Sequence, residues 1–299
     1  MTNTPYALAL HGGAGARPGR DYGREIAHMR SLVLAGGERL AKGEDALTVA
    51  VETVAELEAS GLYVAGRGSS PNTLGDYELD ACVMAGQTGL AGAVAALQGF
   101  ESPIKAALAV MQTTPHVLLA GEGARAFAKA AGLAEIADLE AWFTRAGRDE
   151  SNHAPGEGPS SAAQLAHGTV GCVVRDGQGH LAGATSTGGV FGKRPGRVGD
   201  SPIIGAGAWA DQTVAVSCTG QGEFFLRTAA AAQIAFRMRF GGQDVETAAK
   251  GVLAEIKAMG GEGGLIAIDH AGAITLPFAS AGMKRAALYQ DGTVLSEAF

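Results

Sequence analysis

One boundary constrains this chain more than any other feature. From 147 to 168 the sequence is polar and small, with Pro155, Pro159 and repeated Gly and Ser, the composition of a linker. At Thr169 it changes within one residue to alternating strand, Thr169 to Asp176. The turn Gly177-Gln-Gly179 and a hairpin partner, His180 to Thr187, come next. Any fold for this chain must accept a strand that starts abruptly, directly behind a linker ending in Gly168.

The segments on either side of that boundary are of separate kinds. Before it, Tyr6 to Leu10 reads as a buried strand that ends in the glycine turn His11-Gly-Gly-Ala-Gly15. A helix is predicted over 23–42, with Ile26, Met29, Leu32, Leu34 and Leu40 as its apolar points, and another over 45–59, capped by Asp45. Residues 63–80 read as a loop, followed by strands over Glu78 to Met84 and Gly89 to Gln98. Pro103 opens a helix to Met111, Thr113 to His116 is a break, and Val117 to Leu119 is a short apolar piece. Helical segments continue over 121–131 and 139–145. Beyond the linker, Ile203 to Asp211 and Thr213 to Cys218 read as a second strand pair. Helices over 222–240 and 244–259 follow, then strands over 264–269, 273–277 and 285–289. Runs of strands and runs of helices, kept apart, imply α+β layering in one domain over 1–299, not alternating βαβ.

Composition removes several functions. The formal net charge is −7, against the basic surface that nucleic acid needs. Lys193, Arg194 and Arg197 form a small basic cluster that reads as a solvated loop. Cys82, Cys172 and Cys218 are too few and too far apart for a disulfide framework or a zinc site, and each sits in an apolar stretch. No basic leader opens the sequence and no apolar run reaches membrane-spanning length, so a cytoplasmic protein without membrane or nucleic-acid partners is expected. The glycines at 12, 13 and 15 lack the spacing of a phosphate cradle, which argues against a nucleotide site.

His167-Gly-Thr-Val-Gly171 carries the chemistry. Gly168 removes side-chain obstruction beside the Gly168–Thr169 peptide bond and tolerates strained backbone. Attack by the Thr169 hydroxyl on its own preceding carbonyl is an N→O acyl shift, and water can split the resulting ester. The freed α-amine of Thr169, with a reference pKa of about 7.7–8.0, then serves as base for its own hydroxyl. By itself a Gly-Thr pair more often just opens an edge strand.

Further motifs change that reading. Ala184-Thr-Ser-Thr-Gly-Gly189, Pro195-Gly-Arg-Val-Gly-Asp-Ser-Pro202, Gly205-Ala-Gly207 and Ser217-Cys-Thr-Gly-Gln-Gly-Glu223 follow Thr169 in order. Glu78-Leu-Asp-Ala-Cys-Val-Met84 and the His11 turn precede it, and Gly263-Gly-Leu-Ile-Ala-Ile-Asp269 comes late. With these motifs the chain resembles the isoaspartyl peptidase/L-asparaginase family, the plant-type asparaginases, over nearly its whole length. The resemblance implies an N-terminal nucleophile hydrolase with a four-layer αββα sandwich, cleaved between Gly168 and Thr169 into chains 1–168 and 169–299. It implies hydrolysis of β-aspartyl (isoaspartyl) dipeptides and L-asparagine through a covalent ester on Thr169. Thr187 resembles the threonine that hydrogen-bonds the nucleophile, and Thr219 with Gly220 the oxyanion site. Arg197 and Asp200 resemble the holders of the substrate carboxylate and ammonium, and Gly222 a further substrate contact. His11 reads as a satisfied core histidine, and His167 stays with the first chain's end.

The resemblance also implies no organic cofactor, a structural Na⁺ on backbone carbonyls about Leu57–Gly66, and a dimer of αβ heterodimers. Two positions depart from the family pattern. Val64 stands where Asn is usual, near the nucleophile, and Ala85 replaces an acidic residue after Met84. The first bears on turnover and substrate range. A glycosylasparaginase-like amidase and an uncleaved family member that only binds ligand remain the alternatives.

Overall fold

The computed structural model describes residues 5–144 and 168–299. All of the linker except Gly168 lies outside the described residues, as does His167. Before the linker come β1 (Ala7–Ala14), α1 (Gly23–Ala41), α2 (Ala46–Ala59), β2 (Leu79–Ala85) and β3 (Ala91–Leu97). They are followed by α3 (Pro103–Thr113), β4 (Leu118–Ala120), α4 (Gly121–Ala130) and α5 (Leu139–Trp142). After it come β5 (Val170–Arg175), β6 (Leu181–Thr187), β7 (Ala208–Ala210), β8 (Val214–Gly220), α6 (Gly222–Thr228), α7 (Ala230–Gly241) and α8 (Val245–Ala258). The chain ends with β9 (Gly263–Asp269), β10 (Ile274–Thr275), β11 (Met283–Leu288) and β12 (Val294–Glu297). The fold mixes helices and largely antiparallel sheets, as segregated runs require.

Two sheets hold these strands. The larger runs β12-β11-β1-β5-β6-β2-β3-β4, with only β3 and β4 parallel, and the smaller runs β10-β9-β8-β7. The alternation of side chains along β1 shows how the sheets are covered. Leu8 and Leu10 join a core with Met29 and Val33 of α1, Val49 and Val54 of α2 and Ile104 of α3. Ala7 and Ala9, on the other face, join Ala215, Ile266 and Ile268 of the smaller sheet. The smaller sheet turns Val216, Cys218 and Leu265 toward Ile234 of α7 and Val252 and Ile256 of α8. All three cysteines are unpaired and buried, one on each of β2, β5 and β8.

Helix starts follow from their caps. Asp45 accepts from the Thr48 N–H at 2.9 Å, Asp244 from the Thr247 N–H at 2.8 Å, and Pro103 opens α3 behind Ser102.

Four expectations need correction. The glycine turn after Leu10 is instead a continuation of β1 to Ala14, through an irregularity in pairing between His11 and Ala14. Gly13, at φ +101°, supplies the left-handed residue that such a bulge uses. The single helix over 222–240 is two helices, because Ala229 is left-handed at φ 48°. That turn points the first amides of α7 at the 200–207 loop, where Ala232 N–H donates to the Gly205 carbonyl at 2.8 Å. Strand over 203–211 shrinks to β7, since Ile203 and Ala206 spend their N–H groups on local turns. In α1, Leu34 is 44% exposed and Val33 takes the core position that continues the spacing from Met29.

Candidate functional site

Thr169 sits one residue before β5 and is buried, between β1 and β6 of the larger sheet. Its hydroxyl donates to Thr187 Oγ1 at 3.3 Å, and Thr187 Oγ1 also accepts the Gly189 N–H at 3.0 Å. The two threonines meet because β5 and β6 pair antiparallel, with Val170 opposite Ser186.

A line of neutral donors fixes the Thr169 carbonyl. His11 Nδ1 lies 3.1 Å from that oxygen, so Nδ1 carries the proton and donates. His11 Nε2 then accepts from Ser217 Oγ at 2.8 Å, and Thr185 Oγ1 lies 2.7 Å beyond Ser217 Oγ. Burial pushes the His11 pKa down to about 3, against a smaller opposing effect of the Thr169 carbonyl, so the ring stays neutral and keeps this tautomer. His11 is a buried histidine as the sequence suggests, but it also orients the candidate nucleophile. Space is tight here: a Cβ on Gly171 would fall 2.0 Å from Ser217 Oγ and 2.4 Å from His11 Nε2.

β8 brings Thr219 to the same region from the other sheet. Thr219 Oγ1 accepts the Ala14 N–H at 3.1 Å, which leaves its hydroxyl proton available to donate. Gly220 follows at φ +155°, where a side chain would meet the Glu262 carbonyl at 2.6 Å.

The third part is charged. Arg197 forms a two-pronged pair with Glu223 of α6, Nε to Oε1 and Nη2 to Oε2, both at 3.0 Å. Asp200 is buried, and its Oδ2 has no hydrogen-bond partner among the described residues. Burial raises its pKa to about 7, against the pull of the nearby Arg197. Gly222 must lack a side chain for this carboxylate to fit, since a Cβ there would lie 2.8 Å from Asp200 Oδ1. Lys193 is not on a solvated loop. It is buried, and its Nζ donates to the Glu78 carbonyl at 2.6 Å, with Asp80 as a second acidic neighbour. It ties the 193–202 loop to the start of β2, and Glu78 Oε1 adds the Gly196 N–H at 2.8 Å.

The structure therefore joins Thr169 with Thr187, and Asp200 with Arg197 and Gly222, while Thr219 and Gly220 link the two sets along β8 into α6. His11, Thr185, Ser217 and Glu223 complete the arrangement, and only motif membership marks them in the sequence. Among the described residues no group of three or more His, Cys, Asp or Glu side chains could hold a metal ion, and no helix is long and apolar enough to cross a membrane.

Comparison with known proteins identifies the family. The family model described as asparaginase matches residues 4–296. The isoaspartyl peptidase of Salmonella typhimurium is 46% identical, over 96% of this chain and 96% of that protein. The isoaspartyl peptidase/L-asparaginase of Xenopus laevis is 38% identical over 95% and 92%. The plant-type L-asparaginase of Thermococcus kodakarensis is 39% identical over 83% and 84%.

Proposed function

The chain belongs to the asparaginase family, and from that premise we propose that it is a self-cleaving threonine hydrolase of β-aspartyl (isoaspartyl) dipeptides and L-asparagine. The observation that carries this reading is Asp200: a buried carboxylate with an unpartnered oxygen, beside an arginine. Buried polar atoms are rarely left orphaned, and an ammonium group supplies what this one lacks. An aspartyl group has both an α-ammonium for Asp200 and an α-carboxylate for Arg197. Glu223 holds the guanidinium fork through two of its nitrogens, so the substrate carboxylate competes with or joins that pair.

The steps follow from the remaining groups. Cleavage after Gly168 frees the Thr169 α-amine, which takes the hydroxyl proton as Oγ1 attacks the substrate side-chain carbonyl. Thr187 orients the hydroxyl through the bond it already makes. The Thr219 hydroxyl and the Gly220 N–H are the donors to the developing oxyanion. The Ala14 N–H holds Thr219 Oγ1 in place beforehand, so little reorganisation is needed. The amine leaves with the proton, and water attacks the β-aspartyl ester to return Thr169.

The αββα order belongs to the same proposal: α1–α4, the larger sheet, the smaller sheet, α6–α8. The three separate apolar clusters support it as seams between these layers. A dimer of αβ heterodimers, implied by the family likeness, is part of the same proposal. A structural Na⁺ would be held by backbone carbonyls about Leu57–Gly66. Gly66 has φ +51°, and a Cβ there would lie 2.7 Å from the Glu58 carbonyl oxygen, so the two ends of this segment come together. The ion would offset carbonyl dipoles and brace the loop bearing Val64.

Intact-mass measurement of wild type and Thr169→Ala, with product assays on a β-aspartyl dipeptide and L-asparagine, tests the reading. Wild type is expected to split between Gly168 and Thr169 and turn over substrate, with the variant intact and inactive. A wild-type chain that stays whole for days without turnover overturns it and favours a family member that only binds.

A further inference from the structure

The neighbours of Gly168 explain why this position is a glycine. A side chain on Gly168 would bring its Cβ within 2.2 Å of Val64 Cγ2 and 2.4 Å of Val64 Cβ. Gly13, on the β1 bulge, is a second wall: a Cβ there would lie 2.9 Å from Gly168 Cα and 3.3 Å from its carbonyl carbon. Val64 is itself fixed, buried and with its carbonyl accepting the Gly188 N–H at 2.8 Å, next to Thr187. On the other side of the Gly168–Thr169 bond, His11 Nδ1 holds the Thr169 carbonyl.

We propose that Val64 is a positioning residue for self-cleavage: with the Gly13 backbone it forms a close-fitting seat for Gly168, and that seat is why the residue before the nucleophile must be glycine. The proposal rests on the self-cleavage reading given above. In the step, Thr169 Oγ1 bonds to the Gly168 carbonyl carbon and the C–N bond breaks. The hydroxyl proton passes to the departing nitrogen, leaving an ester and a free α-amine. Water then splits the ester, restoring the Thr169 hydroxyl and leaving a carboxylate on Gly168. Such an attack needs a fixed approach of oxygen to carbon, and misplacement of about 1 Å costs on the order of 100-fold. Val64 is an apolar wall against the side of Gly168 where a Cβ would sit, and so limits how that residue can shift before the attack.

The test is a set of suppressor variants followed by time-resolved intact mass, with thermal melts to confirm folding. Gly168→Ala is expected to slow cleavage by about 100-fold, since its methyl overlaps Val64. Val64→Ala alone should slow cleavage by about 3- to 10-fold, because the seat loosens. The double variant Val64→Ala/Gly168→Ala should return to within about tenfold of wild type, as the methyl moves into the vacated space. Val64→Thr keeps the side-chain shape and tolerates the fold if Val64→Ala does not; Val64→Thr/Gly168→Ala should stay as slow as Gly168→Ala. A double alanine variant as slow as Gly168→Ala, or full recovery in the threonine pair, overturns the seat while wild-type cleavage preserves the self-cleavage reading. A wild type that never cleaves brings down both.

Discussion

The two halves of the candidate site are built on opposite rules. Around Thr169 the described partners are neutral and already in place: Thr187 Oγ1 accepts a hydrogen bond from the hydroxyl, His11 donates to the carbonyl, and the Ala14 N–H donates to Thr219 Oγ1. Around Asp200 the groups are ionisable and incompletely matched, with buried Asp200 Oδ2 unpartnered among the described residues and half-buried Arg197 engaged by Glu223. A site that must move protons and bonds without rearranging is best satisfied in advance. A site that must grip a zwitterion is best left short of partners until the ligand supplies them. On the proposed function, chemistry falls to one half and recognition to the other, a division that can be attacked from both sides.

The largest effect should come from the neutral half. Thr169→Ala is expected to lower turnover by about 10⁴-fold or more, while Thr169→Ser should still cleave and turn over slowly, as steady-state rates and intact mass will show. In the charged half, Arg197→Ala should reduce kcat/KM by about 10³-fold through KM, because it also leaves Glu223 and Asp200 without their cation. The same variant should cleave itself normally; loss of cleavage would erase the proposed division. Thr219→Val is expected to lower kcat by about 100-fold. It should also cost on the order of 1–3 kcal/mol in thermal unfolding, since the Ala14 N–H loses its acceptor.

Proton linkage gives the smallest and sharpest readouts. In its proposed role Asp200 grips an ammonium only when ionised, and burial raises its pKa to about 7. KM for L-asparagine should therefore rise as pH falls below about 7, by up to tenfold per unit, and level off above it. For stability the sign reverses. The folded pKa is above the unfolded one, so the group favours folding when protonated, and that contribution is lost as pH rises toward 7. Asp200→Asn should accordingly raise unfolding stability at pH 8, by roughly 1–3 kcal/mol, while abolishing substrate binding. A melt showing no gain would mean that the carboxylate is better solvated than its burial indicates.

Legibility in the sequence followed the range of the interactions. Strands such as β5 and β6 announce themselves by period-2 alternation, and Asp45 and Asp244 by their capping positions, because both signals are local. β12 does not, since all four of its residues are only half-buried at a sheet edge and carry no clear alternation. The continuation of β1 through its glycines depends on its partner β11, a pairing that no local pattern encodes. In the site, Thr169, Thr187, Arg197, Asp200 and Thr219 were readable through their motifs. The bond from His11 to the Thr169 carbonyl joins residues 158 apart. The Arg197–Glu223 fork joins a loop to a helix, and Lys193 is buried by the fold despite lying in a cluster of cations. Gly168 was readable as unobstructed, but the reason lay in Val64, whose approach only the folded chain supplies.

The three buried cysteines have a practical consequence. Burial raises all three thiol pKa values, so none offers a thiolate to a reagent while the protein is folded. Cys82 and Cys172 sit in the larger sheet and Cys218 in the smaller one. Alkylation at each site, resolved by peptide mapping, would clock the opening of each sheet separately, without any introduced label. If the two sheets come apart as one unit, the three sites will be modified at one rate; if the smaller sheet peels away first, Cys218 will be modified ahead of the others.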